Sequence, residues 1–148
     1  MTSLTCVASP DAAPSESVWL LATATAAPAM ARRHVAEQLQ TWNLKTLISD
    51  VALIVSELVT NAIMHGGGPV RHSLRLTSLP DRATSLRVEV VDSGRGWDGA
   101  APRSPFADAD ECHGRGLHLV DALAAEWGHE VLNDGHTVWA DLAVPAAV

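Results

Sequence analysis

The fold class predicted for this sequence is a two-layer α/β sandwich, with helices packed on one face of a mixed, mostly antiparallel sheet. Three observations predict it. Apolar residues recur every three or four positions before residue 65 and again after residue 114, whereas residues 70–90 and 127–143 alternate apolar and polar. Turn residues break each alternating stretch in two, Pro80-Asp81 in the first and Asn133-Asp134-Gly135 in the second, as hairpins require. With 47% hydrophobic residues in 148, the chain can bury one core and needs no staples.

In chain order, residues 1–17 are rich in Ser, Ala, Pro and Thr without apolar periodicity and read as a mobile tail, so the expected domain is 18–148. Val18 to Leu21 can form an edge strand. Pro28 suits a first helical turn, after which Ala31, Val35, Leu39 and Trp42 make a helical stripe. A second helix carries the apolar stripe Leu47, Val51, Ile54, Val55, Leu58 and Ala62 and stops at Gly66-Gly67-Gly68. Val70, His72, Leu74 and Leu76 share one side of a strand, and Leu86, Val88 and Val90 repeat that pattern in its hairpin partner. Residues Trp97 to His113 show neither period and read as a long loop. Gly114-Arg115-Gly116 opens a third helix with Leu119, Val120, Leu123, Ala124 and Trp127 in helical spacing, and a second hairpin joins Trp127–Leu132 to Thr137–Ala143.

Charge and composition exclude several roles. Seventeen acids face ten bases, a net charge of -7, so the basic footprint of a direct nucleic-acid binder is missing. Cys6 and Cys112 have no metal-ligand spacing and read as inert thiols. The run Val18–Ala31 is too short to span a bilayer and no base precedes it, so a cytoplasmic protein is the expectation. His34, His72, His129 and His136 are scattered and read as ordinary surface or core residues, and Trp42, Trp127 and Trp139 as core.

Chemistry concentrates at three places. Glu57, Thr60, Asn61 and Met64 fall on one stripe of an otherwise apolar helix, so this stripe faces a cavity more readily than open water. Glu57 and Asn61 are one helical turn apart: the amide oxygen of Asn61 is a hard ligand of the kind Mg2+ accepts, and the Glu57 carboxylate can take a proton from an attacking hydroxyl. Asp92-Ser93-Gly94-Arg95-Gly96 follows a strand; there an aspartate can accept from a base's exocyclic amine and glycines admit a flat ring, although the fragment alone reads as an ordinary turn. Gly114-Arg115-Gly116, at a helix start, offers backbone N–H groups and a guanidinium to phosphate oxygens, but a triplet of this kind is weak by itself.

Taken together and in order, Ser56-Glu57-Leu58-Val59-Thr60-Asn61-Ala62-Ile63-Met64-His65-Gly66, then Val91-Asp92-Ser93-Gly94-Arg95-Gly96, then Gly114-Arg115-Gly116-Leu117-His118-Leu119-Val120, the chain resembles the ATP-binding domain shared by gyrase, the large heat-shock chaperone, histidine kinases and mismatch-repair ATPases. Within that superfamily it is most similar to the small anti-sigma-factor serine/threonine kinases, down to the ending Gly135-His136-Thr137-Val138-Trp139. The resemblance implies a Bergerat-type ATP-binding fold with ATP and Mg2+ as ligands. It implies Asn61 as the magnesium ligand, Glu57 as general base, Asp92 as the reader of adenine with Gly94 and Gly96 shaping its pocket, and Thr137 as a second contact to the base. Gly114 and Gly116 then lie beside the phosphates, Arg115 touches the γ-phosphate, and the loop Trp97–His113 is the lid. That lid departs from expectation in carrying Asp108, Asp110 and Glu111 beside one base, Arg103. The implied function is a kinase that phosphorylates an anti-anti-sigma partner and sequesters a sigma factor, with a homodimer through the first helix. The alternatives are a non-catalytic, ATP-dependent partner-binding module and an ATPase domain of a larger assembly.

Overall fold

The computed structural model describes residues 16–22, 25–66, 68–81, 83–94, 112–133 and 135–145, and of residues 65 and 112–116 the backbone alone. The elements run β1 (Glu16–Leu21), α1 (Ala27–Thr41), a 3-10 turn (Lys45–Leu47), α2 (Ile48–His65), β2 (Val70–Ser78), β3 (Thr84–Asp92), α3 (Cys112–Leu123), β4 (Glu126–Leu132) and β5 (Gly135–Val144). The five strands form one sheet in the order β1-β2-β3-β5-β4, and every described pairing is antiparallel rather than mixed. Helix α2 lies on β2 and β3, α1 packs against α2 and β1, and α3 closes on α2. This is the two-layer sandwich expected, with β5 inserted between β3 and β4.

The stripes explain the layering. Ala31, Val35 and Leu39 of α1 and Val51, Ile54, Val55, Leu58 and Val59 of α2 are all buried, facing Val70, Leu74, Leu86, Val88 and Val90 of the sheet. Each of these Val, Ile and Leu side chains contributes roughly 1.5–3 kcal/mol by leaving water. By length and composition Lys45–Met64, longer than the run Val18–Ala31, is apolar enough to cross a membrane. Most of its apolar residues, Val51, Ile54, Val55, Leu58 and Val59 among them, are buried in the core while Leu53 and Met64 are exposed, which makes α2 the central helix of the fold rather than a span. Helix α1 stops at Asn43, whose φ of 62° is left-handed. The Leu44 N–H donates to Leu39 O at 2.7 Å and the Asn43 N–H to Gln40 O at 3.0 Å, a Schellman closure that satisfies carbonyls at the helix end.

Three boundaries differ from the sequence reading. Strand β1 starts at Glu16, inside the segment taken as tail, because Glu16 and Ser17 pair with Arg75 and Leu74. Helix α3 starts at Cys112, so the last two residues of the long loop are helical. It ends at Leu123, and Trp127 belongs to β4, its Nε1 donating to Asp121 Oδ1 at 3.0 Å. Trp127 packs partly buried against the core as expected, whereas Trp139 does not. It lies on the sheet face away from the helices, under the Arg87 guanidinium at 4.2 Å, while Arg87 also donates to both oxygens of Asp141 at 2.7 and 2.8 Å. Gly128 makes room for that ring, since a Cβ there would stand 2.7 Å from it. These contacts clamp β3 to β5, whose adjoining ends carry the site.

Candidate functional site

Antiparallel pairing of β3 with β5 brings the last residue of β3, Asp92, opposite His136 near the start of β5. The end of α2 lies over the same corner, with Gly66 against Asp92 and Gly68 against Ser93. Glu57 and Asn61 of α2 and Asp92 and Gly94 at the end of β3 therefore come from two adjoining segments. Of the polar stripe on α2, Thr60 spends its hydroxyl on Ser56 O at 2.7 Å and Met64 faces solvent. Glu57 and Asn61 remain as its polar pair.

Asn61 is 3% exposed, and among the described residues neither Oδ1 nor Nδ2 has a hydrogen-bond partner. A buried primary amide left in that state destabilises a fold by about 1–3 kcal/mol. Such a group fits an oxygen-liganded cation, so the residues present suit Mg2+ with Asn61 Oδ1 as a protein ligand. Glu57, half-buried, has its carboxyl pushed above the ordinary range by desolvation, which moves it toward the basicity a proton acceptor needs.

Asp92 is 4% exposed and accepts the Gly94 N–H on Oδ1 at 2.7 Å, so Gly94 shapes the aspartate as well as the turn. Thr137 does not join it. The register sets Thr137 opposite Val91, and strand alternation sends its side chain to the far face of the sheet, with Trp139 and Asp141. The residue beside Asp92 is His136, 1% exposed, its Nδ1 3.8 Å from Asp92 Oδ2. Sequence reasoning passed over it, although Val138, Ala140 and Leu142 set the parity that turns residue 136 inward. Gly114, Arg115 and Gly116 are the third to fifth residues of α3, so Gly114 keeps a first-turn N–H without an intrahelical acceptor, while those of the next two residues turn back into the helix. Gly96, the lid residues 97–111 and the side chain of Arg115 lie outside the described residues.

Two glycines that the sequence marks only as a helix stop and a turn, Gly66 and Gly135, hold this corner open. A Cβ at Gly66 would overlap the Asp92 Cγ and stand 2.5 and 2.6 Å from its carboxylate oxygens, and one at Gly135 would collide with the Asp92 carbonyl oxygen. Gly66→Ala is therefore expected to displace the carboxylate, weakening adenine-nucleotide binding about tenfold or more and destabilising the fold by about 1–3 kcal/mol. Calorimetry and thermal melts on the variant check both effects.

Among solved structures, the chain is similar to the RsbU and RsbW domains of Rv1364c from Mycobacterium tuberculosis, with a TM-score of 0.64 and 22% identity over 88% of this chain and 33% of that one. At that identity the likeness is one of fold. Mycothiol acetyltransferase of Frankia alni is 33% identical over 97 residues, 65% of this chain and 27% of that protein. The chain thus spans about a third or less of the length of these two relatives. Residues 20–141 match the histidine kinase-like ATPase domain, and with that match over a site of this chemistry the chain belongs to that ATP-binding family.

Proposed function

We propose that the protein is an ATP-dependent serine/threonine kinase of the anti-sigma type, acting in the cytoplasm on an anti-anti-sigma partner and holding a sigma factor by binding. The observation that carries the reading is the buried amide of Asn61, without a partner among the described residues, one helical turn from a half-buried Glu57 of raised basicity. Asp92 would accept the adenine amine, Asn61 would hold Mg2+, and Gly114 with Arg115 would face the phosphates. When bound, Mg2+ supplies charge neutralisation at the phosphate oxygens. The partner's serine oxygen then bonds to the γ-phosphorus as the bond to the β-phosphate oxygen breaks, ADP leaves, and the serine proton passes to Glu57. The net charge of -7 favours a protein over a nucleic acid as the target.

Incubation with Mg2+, labelled ATP and candidate anti-anti-sigma proteins is expected to yield phosphoserine, reduced about 10²–10⁴-fold in Glu57→Ala with ATP binding retained. Transfer that persists in that variant removes Glu57 as base. ATP binding without transfer to any candidate makes the nucleotide a conformational ligand and the protein a partner-binding module.

A further inference from the structure

We propose that His136, oriented by His129, is the positioning residue that fixes the Asp92 carboxylate for an amino-bearing base and so sets discrimination between ATP and GTP. The proposal rests on the ATP-site reading above and adds to it a residue that resemblance does not assign.

The argument is one of proton placement. His136 Nε2 faces His129 Nδ1 at 3.3 Å, so one of these two nitrogens carries the hydrogen and the other accepts it. If His136 donated through Nε2, its Nδ1 would turn a lone pair toward the Asp92 carboxylate, 3.8 Å away. That arrangement is repulsive. In the other arrangement His129 donates, His136 accepts at Nε2, and the His136 Nδ1–H points its positive end at Asp92 Oδ2. Burial lowers the basicity of both imidazoles, which keeps them neutral and the relay directional near neutral pH.

Asp92 is then approached by donors on both oxygens, the Gly94 N–H on Oδ1 and the His136 ring on Oδ2. A carboxylate held this way is an acceptor with a fixed plane. Its remaining lone pairs suit the 6-amino group of adenine, whereas the 6-oxo group of guanine would set oxygen against oxygen. His136 touches the carboxylate and not the reacting atoms, so its effect is on the choice of base.

Two measurements test this. Nitrogen-15 NMR of the imidazoles at pH 7.5 should find the His136 proton on Nδ1, shifting toward Nε2 in His129→Phe. Calorimetry with ATP and with GTP should show His136→Ala losing about tenfold in ATP affinity with a comparable narrowing of the ATP/GTP ratio. His136→Asn, which keeps a donor near the Nδ1 position, should recover most of both. A His136 proton on Nε2 in the wild type, or an unaltered ATP/GTP ratio in His136→Ala, overturns the positioning role while ATP binding stands. A wild type that binds neither nucleotide overturns the ATP reading and base selection with it, and the NMR result then reports on the histidine relay alone.

Discussion

Asn61→Leu is expected to melt at a higher temperature than the wild type and to bind Mg–ATP at least about 100-fold more weakly. The two effects share one cause. The Asn61 side chain is 3% exposed and its amide meets no partner among the described residues. The chain therefore carries a desolvation penalty of about 1–3 kcal/mol at this position. Leucine has the same branching and the same number of heavy atoms but no polar group, so it removes the penalty and packs among Leu58, Ala62 and their neighbours on α2. A gain of that size raises Tm by several degrees in a domain of this length.

The same substitution deletes the oxygen that fits Mg2+. Loss of groups that merely orient a metal ligand weakens metal binding 10–100-fold, and the ligand itself matters at least as much. Saturating Mg–ATP at about 100 times its Kd would stabilise the wild type by about 2.7 kcal/mol. Thermal melts with and without Mg–ATP should therefore converge: the variant starts higher and barely moves, and the wild type starts lower and rises by the equivalent of about 2.7 kcal/mol. A variant that melts lower and still responds to Mg–ATP would mean that the amide is a structural group with partners of its own.

How much of this was legible depended on whether the signal was local. Helix α2 and the inward faces of β2 and β3 could be read directly, because Val, Ile and Leu repeat there at 3.6 or 2 residues with few interruptions. His72 was placed correctly on an inward face by the same parity. Glu57 and Asn61 drew attention as polar residues one turn apart on an apolar helix, a property of one element. Misreadings arose where helical and strand periods overlap. Trp127 continues the spacing of Leu123 and Ala124 but follows a chain reversal, and Thr137 was chosen by motif although Val138, Ala140 and Leu142 set the opposite parity. Gly66 and Gly135 matter through a close approach between elements distant in sequence, and no local pattern encodes that.

Acidification should unfold this protein earlier than its carboxylates alone would, and His72 is the main reason. Its ring is fully buried against Trp19 and His34, with centroids 4.7 and 5.3 Å away, and those two rings also stack on each other at 5.1 Å. His72 Nε2 lies 3.1 Å from His34 Nδ1, while its own Nδ1 has no partner among the described residues. Desolvation, and after it the neighbouring His34, lowers the His72 pKa from 6.5 to about 4. The unfolded chain takes up the proton below 6.5 and the folded chain does not until about 4, so this contribution to stability is full above pH 6.5 and is lost as pH falls toward 4. The slope approaches about 1.4 kcal/mol per pH unit inside that window, a loss of about 3 kcal/mol across it. His34, lowered by its own burial with Glu37 opposing and Arg33 assisting, works in the same direction, as do His129 and His136. Glu57 works against them, because a raised carboxyl is better protonated in the folded state. His72→Phe keeps an aromatic ring in the stack and removes the titration, leaving the half-buried His34 to meet water. Urea unfolding between pH 7.5 and 4.5 should find the slope of stability against pH reduced by close to one proton in His72→Phe. An unchanged slope would place the acid sensitivity elsewhere and show that His72 already accepts a proton within the folded stack.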